Sequence, residues 1–287
     1  MQRLVIVLVV LWSCSVQAAT QTQLRVACPK VIGIGLPFQV QVESDRPMEA
    51  VQVEWADTTM TIPAQNATRL EFMLGTDVFK STTGLTRMRI TRLGLAPLSV
   101  ESIIRVDQRT FPEQRLTVAQ KMATPPAEVL ERIKQENALV RKILGAITPD
   151  AHLELPLIRP VPGVVTSAYG LTRFFNNQPR NPHRGLDLRA ALGDPVQAAA
   201  PGRVVLAAEH YYAGQCIFLD HGLGVFTQYM HLHKILVQTG DMVEAGQIIG
   251  QVGQTGRVTG PHLHFGMTIL DLAVDPSPLF FHPRNEH

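Results

Sequence analysis

Apolar residues recur with a period of two over most of this chain, and with a helical period in one stretch only. Short strands patterned in that way must each bury one face, so the chain is expected to be all-β with a helical connector. From Gln23 to about Asp107, Phe38, Val40 and Val42 alternate with glutamines, and Val51, Val53 and Trp55 alternate with Gln52 and Glu54. Residues 87–90 and 102–106 read similarly. Together they predict an amino-terminal β-sandwich-like domain over residues 20–108. No cluster of reactive side chains stands out in it.

The helical period follows. Thr124, Pro125 and Pro126 suit a helix start, Leu130, Ile133, Val140 and Leu144 form an apolar stripe, and Gly145 and Pro149 end it. Residues 109–160 therefore read as a helical connector and linker, with the helix as a strut between domains. A third region, 161–287, returns to short strands with glycine-rich turns, an antiparallel β pattern. Within it Gly193-Asp194-Pro195-Val196 and Gly240-Asp241-Met242-Val243 hint at an internal repeat. A carrier domain of lipoyl type would need a lysine at a hairpin tip, and none is placed there.

The first 19 residues have one charge at Arg3, an apolar run from Leu4 to Trp12, and small residues at Ala18 and Ala19. This is the pattern of a cleaved export signal, which places the mature protein in the periplasm, at the cell envelope or outside the cell. A lipoprotein site at Cys14 is the alternative, disfavoured by the bulk of Trp12. No stretch beyond the leader predicts a membrane span. Export would allow Cys28 and Cys216 to pair, which the sequence leaves open, as it does the oligomeric state. A formal net charge of +2 implies no nucleic-acid partner.

Seven of the ten histidines fall between His183 and His264, a density that points to a site. In Gly260-Pro261-His262-Leu263-His264-Phe265, strand alternation buries Leu263 and Phe265 and puts both histidines on one face. In the same way Asp187 projects opposite Leu186 and Leu188, with His183 in the turn before it. A third segment places Tyr229, His231 and His233 on a face opposite Met230 and Leu232. Two histidine pairs thus compete as metal ligands, and spacing does not choose between them.

These three segments, in this order, resemble the lysostaphin and LytM type of zinc endopeptidase from about Val164 to Pro278. The resemblance implies that His183, Asp187 and His264 bind Zn2+ and that His231 and His262 are catalytic without being ligands. It implies hydrolysis of peptide stems or crosslinks in cell-wall peptidoglycan. Two histidines and one carboxylate would leave zinc an open position for water, as catalytic sites do. His210, His221 and His233 are read as structural or rim residues. Gly266 departs from the family pattern, where a charged residue is common, and bears on substrate preference. Two alternatives remain: a non-catalytic activator of a cell-wall amidase, which would lack one of the five residues, and a zinc peptidase acting on other secreted proteins.

Overall fold

The computed structural model describes residues 23–94, 97–117, 125–176, 178–179 and 182–280; the expected leader and the Thr124 cap lie outside them. Strands β1 (Leu24–Ala27), β2 (Val31–Gly33), β3 (Pro37–Trp55), β4 (Thr58–Gly75), β5 (Gly84–Arg92) and β6 (Leu98–Asp107) form one sheet, antiparallel except where β2 joins β6. The alternating runs at 38–42 and 51–55 are two halves of a single strand, β3. It pairs with β4 along its length and exchanges its other neighbour midway, from β1 at residues 41–44 to β5 at residues 51–54. Register shifts on either side of Met48 bend the strand there, as bulges do. The sheet thereby curls until β1 nears β6, and the inner face expected of a sandwich is made by one sheet closing on itself. Phe38, Met48, Trp55, Ile62 and Ile90 fill it. Trp55 stacks edge-on to Phe38 and satisfies its indole N–H on the Gly75 carbonyl at 2.7 Å.

β7 (Glu113–Leu116) runs parallel to β9 (Thr172–Phe175), which also pairs with β10 (Gln178–Pro179). The remaining strands are β8 (Val165–Ser167), β11 (Leu186–Leu188), β12 (Pro195–Gln197), β13 (Gly202–His210), β14 (Gly214–Asp220), β15 (Val225–Ile235), β16 (Met242–Val243), β17 (Ile248–Val252), β18 (Leu263–Ile269) and β19 (Leu272–Val274). They form a ten-stranded sheet with β15, β18, β11 and β8 side by side. One face of it buries Leu186, Leu188, Ile217, Leu219, Tyr229, Leu263 and Phe265. The hint of a repeat has a structural basis. At both Gly193 and Gly240 the φ angle is positive, and the following aspartate accepts the amide N–H three residues back, from Ala191 and Gln238. Each turn then exchanges two backbone hydrogen bonds with a neighbouring strand, at Val252 and Val204 respectively.

The helix α1 (Leu130–Leu144) forms where expected and ends at Gly145. It does not stand free between domains. Val140, Ile143 and Leu144 pack on Leu206, Cys216 and Phe218, on the sheet face opposite the main core. Its first turns are held by polar contacts instead. Arg132 bonds the Glu209 carbonyl, and Glu136 accepts the Tyr211 amide N–H at 2.9 Å. Leu130, expected in the stripe, is left exposed.

The two halves share one continuous hydrophobic core. At the seam β4 abuts β19 so closely that a Cβ on Gly75 would lie 2.4 Å from Val274 Cγ1. Asp77, fully buried, accepts the Ala273 amide N–H, and Arg109 bonds Asp275 at 2.9 Å. Cys28 and Cys216 are both free, one beside the amino-terminal core and the other under α1, where burial pushes the Cys216 thiol up to about 12.

Candidate metal and catalytic site

The register of the large sheet creates the site. Asp187 on β11 lies directly opposite His264 on β18, while the neighbouring pairs Leu186–Phe265 and Leu188–Leu263 face the core. The hydrophobic residues on either side thus fix which way the two polar ones point. His183 arrives from the preceding turn, and Gly185 lets it do so. A Cβ on Gly185 would meet the Phe265 carbonyl at 2.5 Å and His264 Nε2 at 2.8 Å, so only hydrogen fits beneath that ring.

Three donor atoms converge. Asp187 Oδ1 lies 2.9 Å from His183 Nε2 and 3.0 Å from His264 Nδ1, and the two imidazole nitrogens are 3.0 Å apart. Tetrahedral zinc at about 2.0–2.2 Å from its ligands needs donors separated by about 3.3 Å, close to this triangle. The ring of His183 is oriented by its other nitrogen, Nδ1, which donates to the Ala168 carbonyl at 3.0 Å. In neutral His183 the proton is therefore on Nδ1, and Nε2 turns a lone pair towards two other acceptors. Such a cluster calls for a cation, and two imidazoles with one carboxylate are a zinc donor set. Among the described residues this is the single group of that kind. Burial would raise the Asp187 carboxyl, but the His183 and His264 imidazoles against its oxygen outweigh this and hold the group well below the carboxylate range. Burial lowers His264, against the pull of Asp187.

His231 and His262 stand beside the triangle. Their rings are 5.1 Å apart, His231 is 6.0 Å from the His264 ring, and His262 Nε2 is 3.6 Å from Asp187 Oδ1. Each is anchored through Nδ1 on a backbone carbonyl, His231 on Thr255 at 3.0 Å and His262 on Gly260 at 2.9 Å. Both therefore present Nε2 as an acceptor when neutral. Burial, reinforced by the neighbouring histidines, pulls His231 down to about 3, so it is neutral at ordinary pH.

All five residues singled out in the sequence are thus brought together, but one expectation about their neighbours is corrected. Tyr229, His231 and His233 do not share a face. Tyr229 pairs with Phe265, belongs to the core, and is fully buried with its hydroxyl accepting the Ala199 amide N–H at 2.8 Å. Strict alternation would bury His231 with it. Instead His231 has φ +66°, and the β14–β15 register shifts across this stretch, which turns its ring to the site face. His233 is exposed, and His210 and His221 have other partners. The supporting residues Ala168, Gly185 and Thr255 were not singled out beforehand. A glycine between two candidate ligands, and threonine in the turn 253–256, were the available signals.

A family model, "Peptidase family M23", matches residues 181–276. Peptidoglycan DD-endopeptidase ShyA of Vibrio cholerae is 47% identical over 88 residues, covering 31% of this chain and 20% of that protein. ShyB of the same organism is 43% identical over 94 residues, 33% of this chain and 22% of that protein. Lysostaphin of Staphylococcus simulans is 44% identical over 102 residues, 33% of this chain and 21% of that protein. The chain thus spans about a fifth of the length of these curated relatives. A crystal structure of a Pseudomonas aeruginosa protein assigned to peptidase M23 superposes with a TM-score of 0.64 at 26% identity, covering 85% of this chain and 93% of that one. That likeness extends through both halves. The histidine and aspartate cluster lies within the matched segment, so residues 181–276 carry a peptidase family M23 domain.

Proposed function

We propose that this protein is an exported zinc metalloendopeptidase that hydrolyses peptide bonds in bacterial cell-wall peptidoglycan. The observation that carries the reading is the convergence of His183, Asp187 and His264 on one point with His231 and His262 beside it. His183 Nε2, Asp187 Oδ1 and His264 Nδ1 would hold the metal. Bound zinc supplies a Lewis acid for the scissile carbonyl and lowers the pKa of water to about 7. The chain's own residues do the rest. His231 and His262, locked through Nδ1, aim Nε2 inward; one accepts a proton from the attacking water, and the other, once protonated, donates to the carbonyl oxygen or the leaving amine. Asp187 keeps its charge in a buried site and balances that of the cation. The substrate class rests on the relatives named peptidoglycan endopeptidases. A non-catalytic activator would lack at least one of the five side chains, and all five are present. Export rests on the leader pattern of residues 1–19, and a periplasmic, envelope-associated or secreted location goes with it.

Zinc content and turbidity loss of purified sacculi, measured together, test this. The mature protein is expected to carry one zinc and to clear the suspension, and His183→Ala to do neither. His231→Ala is expected to keep zinc while turnover falls about 100-fold or more. Zinc-loaded protein that leaves sacculi intact but cleaves an unrelated secreted protein would overturn the substrate assignment.

A further inference from the structure

The loop at residues 168–171 wraps around His183. Ala168 accepts its Nδ1–H, the Gly170 amide donates to its carbonyl at 2.8 Å, and its amide donates to the Leu171 carbonyl at 3.0 Å. The middle of that loop is Tyr169, which points away from the site and is almost fully buried. Its hydroxyl donates to the Ala273 carbonyl at 2.7 Å and accepts the Val78 amide N–H at 3.3 Å. Ala273 lies on β19 of the large sheet, but Val78 belongs to the amino-terminal half, and so does Gly35 beneath the ring. Gly35, with φ +85°, lies so close under the ring that a Cβ would be 2.6 Å from Tyr169 Cε1. Phe111 stacks edge-on at 6.2 Å and fills the space above Gly170, where a Cβ would lie 2.1 Å from its ring. This seat is itself braced. Asp77 bonds Ala273 at 3.1 Å and Phe79 at 2.7 Å, the Asp275 amide donates to the Gly35 carbonyl at 2.8 Å, and Arg109 ties Ile34 to Asp275.

We propose that Tyr169 is a positioning residue through which the amino-terminal half completes the metal site, by holding the Ala168 carbonyl that orients His183. This rests on His183 being a metal ligand. The amino-terminal half then has a role that its lack of reactive residues conceals: it is a fixed support for the loop that selects the tautomer and direction of one ligand. A hydrogen bond from a ligating imidazole to such a partner is worth about 10–100-fold in metal affinity or activity. Here the effect is transmitted from the segments that follow β2, β4 and β6 through one phenol ring.

The test compares the full-length mature protein with Tyr169→Phe and Asp77→Asn, neither of which alters a residue at the site. Zinc affinity is measured by chelator competition, and ligand geometry by the visible spectrum of the cobalt(II)-substituted protein, both well below the unfolding temperature. Tyr169→Phe, which retains the ring and loses both hydrogen bonds, is expected to weaken zinc binding about 10-fold and to change the cobalt spectrum. Asp77→Asn, one step further back, should move both in the same direction by less. Folded variants with wild-type affinity and spectrum would overturn the proposal while leaving the metal site itself standing. Wild-type protein that takes up no zinc would instead overturn the functional reading. If Tyr169→Phe does not fold, Asp77→Asn decides alone.

Discussion

His231 and His221 are both histidines pulled down by burial, yet they serve different ends. His231 reaches its position through a left-handed backbone that no side-chain pattern announces, which is why alternation misassigned Tyr229 and His233 as its companions while placing Asp187, His262 and His264 correctly. His221, fully buried, is part of a hydrogen-bond chain away from the site. Its Nδ1 is 2.6 Å from the Pro201 carbonyl and must carry the proton, so Nε2, 2.7 Å from Thr227 Oγ1, accepts. Thr227 Oγ1 also lies 3.1 Å from the Tyr229 hydroxyl, which continues the chain of hydrogen bonds. Burial lowers His221 from 6.5 to about 4. The unfolded chain takes up this proton below 6.5 and the folded one only near 4, so the contribution is complete above 6.5 and declines as pH falls towards 4. About 3 kcal/mol is at stake. Urea unfolding at pH 7 and pH 4.5 is expected to show a smaller pH-dependent loss in His221→Gln than in wild type. Equal losses would mean that His221 is not the group responsible.

At the level of elements, the sequence reading succeeded where neighbours in the chain settle the outcome. The short strands around the site and the span of α1 follow from local periodicity. The joining of two alternating runs into the 19-residue β3 does not, because Ser44 to Glu49 interrupt the pattern and only the partner β4 carries the strand across. The helix stripe failed at Leu130 for a related reason. Near its start α1 is fastened by Arg132 and Glu136 to the β13–β14 hairpin, so apolar contact is not required there. Glu136 also pairs with Arg132 at 2.7 Å and is largely buried. Removing it leaves the Tyr211 amide without its acceptor, and Glu136→Ala is expected to cost about 2 kcal/mol. A lowered urea midpoint at unchanged m would show this. A midpoint like wild type would mean that the helix is held by its apolar end alone.

Across the whole molecule, the sequence divides into parts more sharply than the structure does. Gly35, Asp77 and Tyr169 have nothing in their own neighbourhoods to mark them, because the partners that join the halves lie 41 to 196 positions away. The composition shift near residue 108 is visible in the sequence; the continuous core that runs across it is not. With Val274 against Gly75 and one cluster holding residues from both halves, unfolding one half strips the other. Calorimetry of the mature protein is therefore expected to give a single transition with matching van't Hoff and calorimetric enthalpies. Two resolved peaks would mean that the halves fold independently. The facing of Asp187 and His264 across β11 and β18 has a last consequence. A slip of β11 by one residue against β18 would send Asp187 into the core and Leu186 and Leu188 outward. A mispaired chain would then be unable to load its metal. Metal uptake at these residues would thus act as a proofreading step, arming only those copies whose strands have found their true alignment.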